Sequence, residues 1–417
     1  MKVILSLDKK LRTNLLILFV AGLLFWSSMA SLLATLPLYV KYIGASKQEI
    51  GIVMGSFAIG LLSFRSLLGR LADKRGRKIV LLIGTGVVSI APLLYLGVSS
   101  VPLLMAVRAF HGISIAAFST AYAALVADLA PVENRGEVIG YMSLVTSLGV
   151  AIGPAVGSYI QEGFGYSPLF IVSSGLGFAS MLCTAKIVNP PLDSHTEIKA
   201  LKEKFWRSLV SPRVRTLAVI LLLIGLTFGT MRNFIPLFIK ETEINLSPGL
   251  FYTASAIASF NVRLLVGRAG DRYGRGLFVT ISLVFYTIAM FSIWSAHNPQ
   301  TFLIAGAIEG AGLGTLIPMM SAIIADRASG KDRGKMFSLC MTGFDLGIAI
   351  AGPVVGTIAE EIGYRNIFAC AASLAFLAII IFLTFSSKDL SHSLQFALGR
   401  IGDTYALNKK ELSIRES

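Results

Sequence analysis

Apolar residues along this chain come in long unbroken blocks, with charged residues gathered between them. Each block runs to about 20 residues, the length a helix needs to cross a hydrocarbon layer about 30 Å thick at about 1.5 Å per residue. Backbone amides in lipid must bond internally, so such blocks are helices. A β-barrel would show short alternating segments, which this chain does not have. The pattern predicts spans at 14–39, 46–69, 78–98, 102–125, 136–159 and 167–187. A second set follows at 215–238, 249–268, 277–296, 301–323, 335–358 and 366–385. Between the sets lies a polar, proline-containing stretch from Asn189 to Arg213. Its prolines stop helices and its charges hold it in water. The predicted organisation is a bundle over 1–188, a loop over 189–213, a second bundle over 214–387 and a tail over 388–417.

The two sets repeat one another. A shift of 198 residues carries Gly69 to Gly267, Asp73 to Asp271, Gly76 to Gly274 and Arg77 to Arg275. The same shift carries Arg65 to Arg263, Gly112 to Gly310, Asp128 to Asp326 and Gly149 to Gly347. It also carries Arg135-Gly136 to Arg333-Gly334 and Gly165-Tyr166 to Gly363-Tyr364. So many identities in one register mark a duplication. Parallel six-helix halves imply a pseudo-two-fold axis along the membrane normal, with a substrate site between them near the midplane.

Composition and charge sharpen this picture. Hydrophobic residues make up 54% of the chain and charged ones 14%, against roughly 25% charged in a soluble domain. The net charge of +14 would suggest a nucleic-acid partner in a soluble protein. Here the positive-inside rule explains it. With the N-terminus inside, about 29 of the 37 Lys and Arg fall on the cytoplasmic side; Lys41, Lys47, Lys240 and Arg365 fall outside, and Arg65, Arg108, Arg232 and Arg263 lie within spans. Both termini are therefore expected in the cytoplasm, and the protein in the cell (inner) membrane. The first span is too long for a signal peptide. Cys183, Cys340 and Cys370 lie in apolar spans without metal or redox spacing and read as packing residues. No metal, cofactor or nucleic acid is expected, and no enzymatic motif such as a Walker loop or nucleophile elbow occurs.

Short motifs carry the candidate chemistry. Between spans two and three the chain reads GRLADKRGRK, from Gly69 to Lys78. Gly69 permits a close backbone approach, and Gly76 can take the positive φ of a tight turn. Asp73 can face a helix N-terminus or pair with an arginine. A merely basic loop would not recur, yet GRAGDRYGRG follows from Gly267. That second copy lacks the closing basic residue; read as a relic of duplication, it predicts that Asp271 tolerates substitution better than Asp73. This loop resembles the signature of the major facilitator superfamily, and the resemblance extends over all twelve spans, both halves and the central loop. It implies an all-α membrane protein, with twelve transmembrane helices in two pseudo-symmetric six-helix bundles. It also implies that Asp73, Arg77 and Asp128 form a charge cluster that latches one conformation.

Span four carries Arg108, with Gly112 four residues on. This resembles the family's helix-four arginine motif, associated with proton transfer. Snorkelling to the outer surface is the plainer account of an intramembrane arginine. Span five reads GYMSLVTSLGVAIGPAVGS from Gly140, with Gly149, Gly153 and Gly157 on one face and Pro154 beside them. Such a face serves helix packing. The whole pattern also resembles the antiporter signature of drug:proton exporters, departing from it at Ser158. Further ionisable residues lie deep in spans: His111, Arg232, Glu309 and Asp345. The shift of 198 maps His111 onto Glu309, which suggests two groups facing one cavity at matching depth. Glu309 is the expected proton carrier, tuned by Arg108 and His111, with Asp345 as the next candidate. A structural pairing of Glu309 with Arg108 or His111 is the plainer alternative. By the family's pattern, spans one, four, seven and ten line the cavity, so Trp26, Phe110, Phe228 and Arg232 are candidate cavity residues.

The expected function is a secondary transporter: a monomeric, proton-coupled antiporter that exports small organic or amphipathic molecules by alternating access. A symporter importing a small nutrient is the alternative within the fold. A membrane-embedded enzyme and a non-transporting sensor are rivals of other classes. In the tail, Leu390, Leu394, Ala397, Ile401 and Tyr405 recur at helical spacing. They fit either a helix lying on the membrane surface or a disordered tail.

Overall fold

The computed structural model describes residues 7–131, 135–189, 211–328 and 333–407. Among them the chain is helical and has no strand. Among the described residues eleven helices are long and apolar enough to cross a membrane, and the last of them is two helices merged across Gly363, which makes twelve spans. They are α1 (Lys9–Tyr42), α2 (Lys47–Arg75), α3 (Arg77–Leu96), α4 (Val101–Leu129), α5 (Arg135–Phe164) and α6 (Tyr166–Ala185). The second set is α7 (Pro212–Glu241), α8 (Pro248–Tyr273), α9 (Arg275–Trp294) and α10 (Pro299–Arg327), then α11 over 333–362 and α12 over 364–385. The last two run on as one helical rod broken only at Gly363. A short α13 (Leu390–Ala397) follows. The predicted loop lies almost wholly at 190–210, outside the described residues.

Local chemistry sets the helix ends. Ser46 and Glu49 form a reciprocal capping box at the start of α2, which satisfies two orphan donors. Asn298 caps α10 ahead of Pro299. Single glycines turn one helix into the next: Gly76 (φ 94°) and Gly274 (φ 94°), then Gly165 (φ 90°) and Gly363 (φ 81°). Each pair is related by the 198-residue shift, and only glycine takes this backbone without strain. The duplication seen as letters is thus a duplication of turn geometry.

The chain packs as two compact units. The first comprises Met1–Thr196 together with Ile235–Thr253; the second comprises Glu197–Phe234 together with Ala254–Ser417. In the first, α1 packs on α5 and α6, α2 on α4, and α3 on α4 and α6. Its core includes Phe25, Val88, Phe118, Leu125 and Met142. Ile235–Thr253 is fastened to α5 in this unit. Lys240 Nζ lies 3.0 Å from the Glu162 carboxylate, and the Thr253 hydroxyl donates to the Ala151 carbonyl at 2.7 Å. In the second unit α9 packs on α10 and on the α11–α12 rod. Its core includes Leu221, Tyr286, Met320, Cys340 and Phe382. Apolar side chains such as Leu67, Leu103, Ile152, Leu264, Phe291 and Phe376 remain exposed on the helices. That is the surface a multi-span membrane protein presents to lipid, where apolar side chains need no burial in protein.

The tail departs from the disordered reading of the sequence. Residues 390–407 are ordered and pack onto the second unit. Phe396 and Ala397 join the core and Ile401 packs against it, while Leu390 and Leu394 stay exposed. The helical spacing was legible, but the buried face is Ser393, Phe396 and Ala397. Asp389 caps α13, and bonds from the His392 backbone N–H and ring hold its carboxyl below the usual carboxylate range.

Candidate functional site

The site begins with two helix crossings. In the first unit α2 and α4 approach so closely that a Cβ on Gly112 would overlap the Phe57 carbonyl. In the second unit a Cβ on Gly310 would overlap the Ser255 carbonyl. The two contacts are related by the same shift, 57 to 255 and 112 to 310. Each crossing carries a titratable side chain one residue before its glycine: His111 on α4, and Glu309 on α10.

Both side chains are fully buried. In the first unit the Tyr95 hydroxyl of α3 lies 3.2 Å from His111 Nδ1, and His111 stacks edge-on to Phe57 at 6.0 Å. The Arg108 guanidinium sits over the Phe57 ring at 4.4 Å, within electrostatic reach of the Tyr95 hydroxyl. Arg108 Nε and His111 Nε2 are buried without a hydrogen-bond partner. In the second unit the Glu309 carboxylate accepts from the Ser255 hydroxyl at 2.6 Å and from the Tyr286 hydroxyl at 3.2 Å. A charge within a span is costly unless paired or solvated, and these partners of Glu309 are neutral. Glu309 and His111 therefore occupy homologous enclosures, each inside its own unit. The expectation that they stand open to a cavity is corrected by this burial. The partners of Glu309 are Ser255 and Tyr286, in place of the Arg108 or His111 pairing considered from sequence. Arg108 lays its charge on an aromatic face, which stabilises a cation.

A second constellation lies at the α2–α3 turn. Arg77 pairs with Asp73, and its Nε donates to Asp128 at 3.2 Å, so the turn, α3 and the end of α4 meet in one triad. The Gly76 turn frames it, whereas the close backbone approach expected at Gly69 is not found: a Cβ there would meet only the Thr120 methyl at 3.9 Å. The second copy is not degenerate in this respect. Arg275 bonds Asp271 at 3.1 Å and also pairs with Asp326. What the second copy lacks is a counterpart of Lys78, whose Nζ donates to the Ala185 carbonyl at 2.6 Å.

The glycine face of α5 meets α1. Cβ atoms on Gly149, Gly153 and Gly157 would overlap Trp26, Ala30 and Ser31, and Pro154 stands beside them. Gly343 and Gly347 of α11 pack likewise against Ala218 and Leu222 of α7. Trp26, Phe110, Phe228, Arg232 and Asp345 are half-buried. Arg232 lies 5.9 Å over the Phe228 ring, which leans on Phe344. Phe25, Phe118 and Tyr122 form a buried stack inside the first unit, with Phe25 and Phe118 centroids 3.8 Å apart. Tyr95, Ser255 and Tyr286 escaped the sequence reading. The shift mapping Phe57 to Ser255 was available, but only packing shows that Ser255 meets Glu309.

Comparison with known proteins agrees with this architecture. The Major Facilitator Superfamily profile matches residues 18–262 and 246–400. The chain is 26% identical over 375 residues to the Multi-drug resistance efflux pump PmrA homolog of Lactococcus lactis, covering 85% of this chain and 90% of that protein. It is 24% identical over 381 residues to Multidrug resistance protein MdtG of Escherichia coli strain 536, covering 87% and 91%. The crystal structure of the nucleoside transporter NupG superposes with a TM-score of 0.78 at 16% identity, covering 89% of this chain and 99% of that one. With twelve spans, a duplicated six-helix plan and a profile match along most of its length, this chain belongs to the Major Facilitator Superfamily of transporters.

Proposed function

We propose that this transporter is a proton-coupled antiporter that exports small organic, amphipathic molecules, with both termini and the α2–α3 and α8–α9 turns in the cytoplasm. The observation that carries the coupling is Glu309: a carboxylate buried in a span, held by two neutral hydroxyls, at the position homologous to His111. A group in such a place changes the electrostatics of its whole unit when it gains or loses a proton, because little solvent screens it. Glu309 is the proton carrier in this reading, Arg108 and His111 set the field in the other unit, and Asp345 is the reserve site. Trp26, Phe110, Phe228 and Arg232 contribute to substrate binding. The glycine face of α5 supports the antiporter assignment, and the printed names of the relatives, which are efflux pumps, support the export direction. The chain works as a monomer in the inner membrane, without cofactor or metal.

The test is ethidium accumulation into everted vesicles, repeated with a panel of anionic and neutral amphiphiles, with and without an imposed proton gradient. Export predicts accumulation of at least one compound driven by an acid interior. Movement of substrate and protons in the same direction would replace this reading with symport.

The triad at the α2–α3 turn yields its own expectation. If Arg77 latches one conformation through Asp73 and Asp128, Asp73→Asn should slow transport about tenfold, the effect of weakening one charged hydrogen bond, with membrane insertion intact. Because Asp271, Arg275 and Asp326 repeat the arrangement, Asp271→Asn should slow it comparably. Wild-type rates in both variants would reduce the triads to surface ion pairs of little weight.

A further inference from the structure

The C-terminal segment sits where the duplication breaks. In the first unit Lys78 opens α3, donates its backbone N–H to the Asn189 side chain at 3.2 Å and ties its Nζ to the end of α6 at Ala185. The 198-residue shift carries Lys78 to Gly276, which keeps a backbone N–H but has no Nζ to make the second tie. In its place the tail arrives. A Cβ on Gly276 would overlap the Phe396 carbonyl, and the Thr280 hydroxyl of α9 donates to the Ala397 carbonyl at 2.8 Å. Gly399, at φ 72°, rests on Gly274 and Tyr273.

Beyond α13 the tail reaches the end of α10. Arg327, whose side chain is 0% exposed, bonds Asp403 through Nε at 2.6 Å and through Nη2 at 3.1 Å. Its remaining donors take the Arg213 carbonyl at the start of α7 and the Ser386 carbonyl at the end of α12. The Tyr405 ring covers the guanidinium at 5.1 Å, and its hydroxyl donates to the Ser387 carbonyl at 3.3 Å. The Leu407 N–H donates to the carbonyl of Asp326, the residue that pairs with Arg275 in the second triad.

We infer that residues 386–407 are a built-in clamp of the second unit that replaces the missing lysine, with Arg327 and Asp403 as the positioning pair that fixes the end of α10 and so holds Asp326 in place for Arg275. The clamp ties α7, α9, α10 and α12 together at one end, whereas Lys78 and Asn189 join only α3 to the end of α6 in the first unit. It is a permanent member of the unit. A buried arginine held bidentately by Asp403 and by two carbonyls is costly to release, and a side chain at Gly276 would meet the Phe396 carbonyl.

Cys340 gives a native reporter, since it is buried in the same core cluster as Phe396 and Ala397. The full-length protein, with Cys183 and Cys370 replaced by serine, is labelled with N-ethylmaleimide in detergent. Asp403→Asn and Gly399→Ala should each speed Cys340 labelling by about tenfold, because local opening governs access to a buried group. Both should also slow transport in the vesicle assay. A chain ending at Lys388 should label faster still. Adding Gly276→Lys to that shortened chain should restore protection, while Gly276→Lys in the full-length chain should expose Cys340 by pushing Phe396 off its seat. This opposite response separates a clamp that stands in for Lys78 from a tail that merely adds stability. Unchanged labelling in Asp403→Asn and Gly399→Ala would overturn the clamp, whether or not the shortened chain folds. Failure of Gly276→Lys to rescue a folded shortened chain would overturn the equivalence with Lys78.

Discussion

Glu309→Gln is expected to leave downhill substrate exchange intact and to abolish its acceleration by a pH gradient. Glutamine keeps the shape of the side chain in a position with no exposure. Its amide oxygen can accept from Ser255 and its amide nitrogen can donate to Tyr286, so both hydroxyls found at Glu309 keep a partner. Only ionisation is lost. A change confined to the pH response is therefore the signature of a proton carrier, whereas a structural carboxylate would give a general loss of activity. Ser255→Ala serves as the contrast. It preserves the titratable group and removes one bond, at a cost of about 1–3 kcal/mol if a carboxylate oxygen is left unsatisfied, so the pH response should persist with shifted dependence. Exchange assays in vesicles at several imposed gradients decide the matter. A pH response surviving unchanged in Glu309→Gln would move the proton to another group, Asp345 first.

Gly310→Leu and Gly112→Leu should each unseat the helix crossing they occupy. The Cβ alone would overlap the Ser255 or the Phe57 carbonyl, and backbone atoms cannot swing aside as a side-chain tip can. Overpacking of this kind costs about 1–3 kcal/mol when a core can adjust, and more when backbone must part from backbone. Loss of monodisperse protein in detergent, or a fall in the thermal midpoint of roughly 2–4 °C per kcal/mol, should register it. Gly175 on α6 supplies the control, because a Cβ there meets nothing within 4 Å. Gly175→Ala should be neutral or slightly stabilising, since alanine favours helix over glycine by about 1 kcal/mol. If Gly310→Leu proves as stable as Gly175→Ala, the crossing beside Glu309 is looser than its geometry implies, and the case for a fixed enclosure around that carboxylate fails with it.

These expectations rest on different kinds of information. The apolar blocks determined the twelve helices, because a bilayer offers the backbone no hydrogen-bond partner and each block must close its own ladder. The 198-residue register determined that the halves repeat. It paired Gly76 with Gly274 and Asp128 with Asp326, and a positive-φ turn and an ion triad recur at the matching places. A turn needing glycine and a charge needing a counter-charge are demands made by few residues at short range, so letters alone display them. The shift likewise singled out His111 and Glu309, because ionisable residues in spans are rare for energetic reasons.

Tertiary structure alone decided what those residues meet. Tyr95, Ser255 and Tyr286 are ordinary residues in their own helices and gain meaning only where α3, α8 and α9 bring them against α4 and α10. The α5 glycines read as a motif, yet their contacts on α1 follow from rotation of the helix about its axis, which periodicity leaves open in lipid because both faces are apolar. The tail shows the limit most plainly. Its helical spacing offered a membrane-surface helix or a disordered tail, whereas Phe396 and Ala397 join the core of the second unit and Asp403 pairs with Arg327. The missing lysine at Gly276 looked like decay in the sequence; in the structure it is the space that lets the tail come down, because a backbone carbonyl can sit against a helix only where no side chain stands.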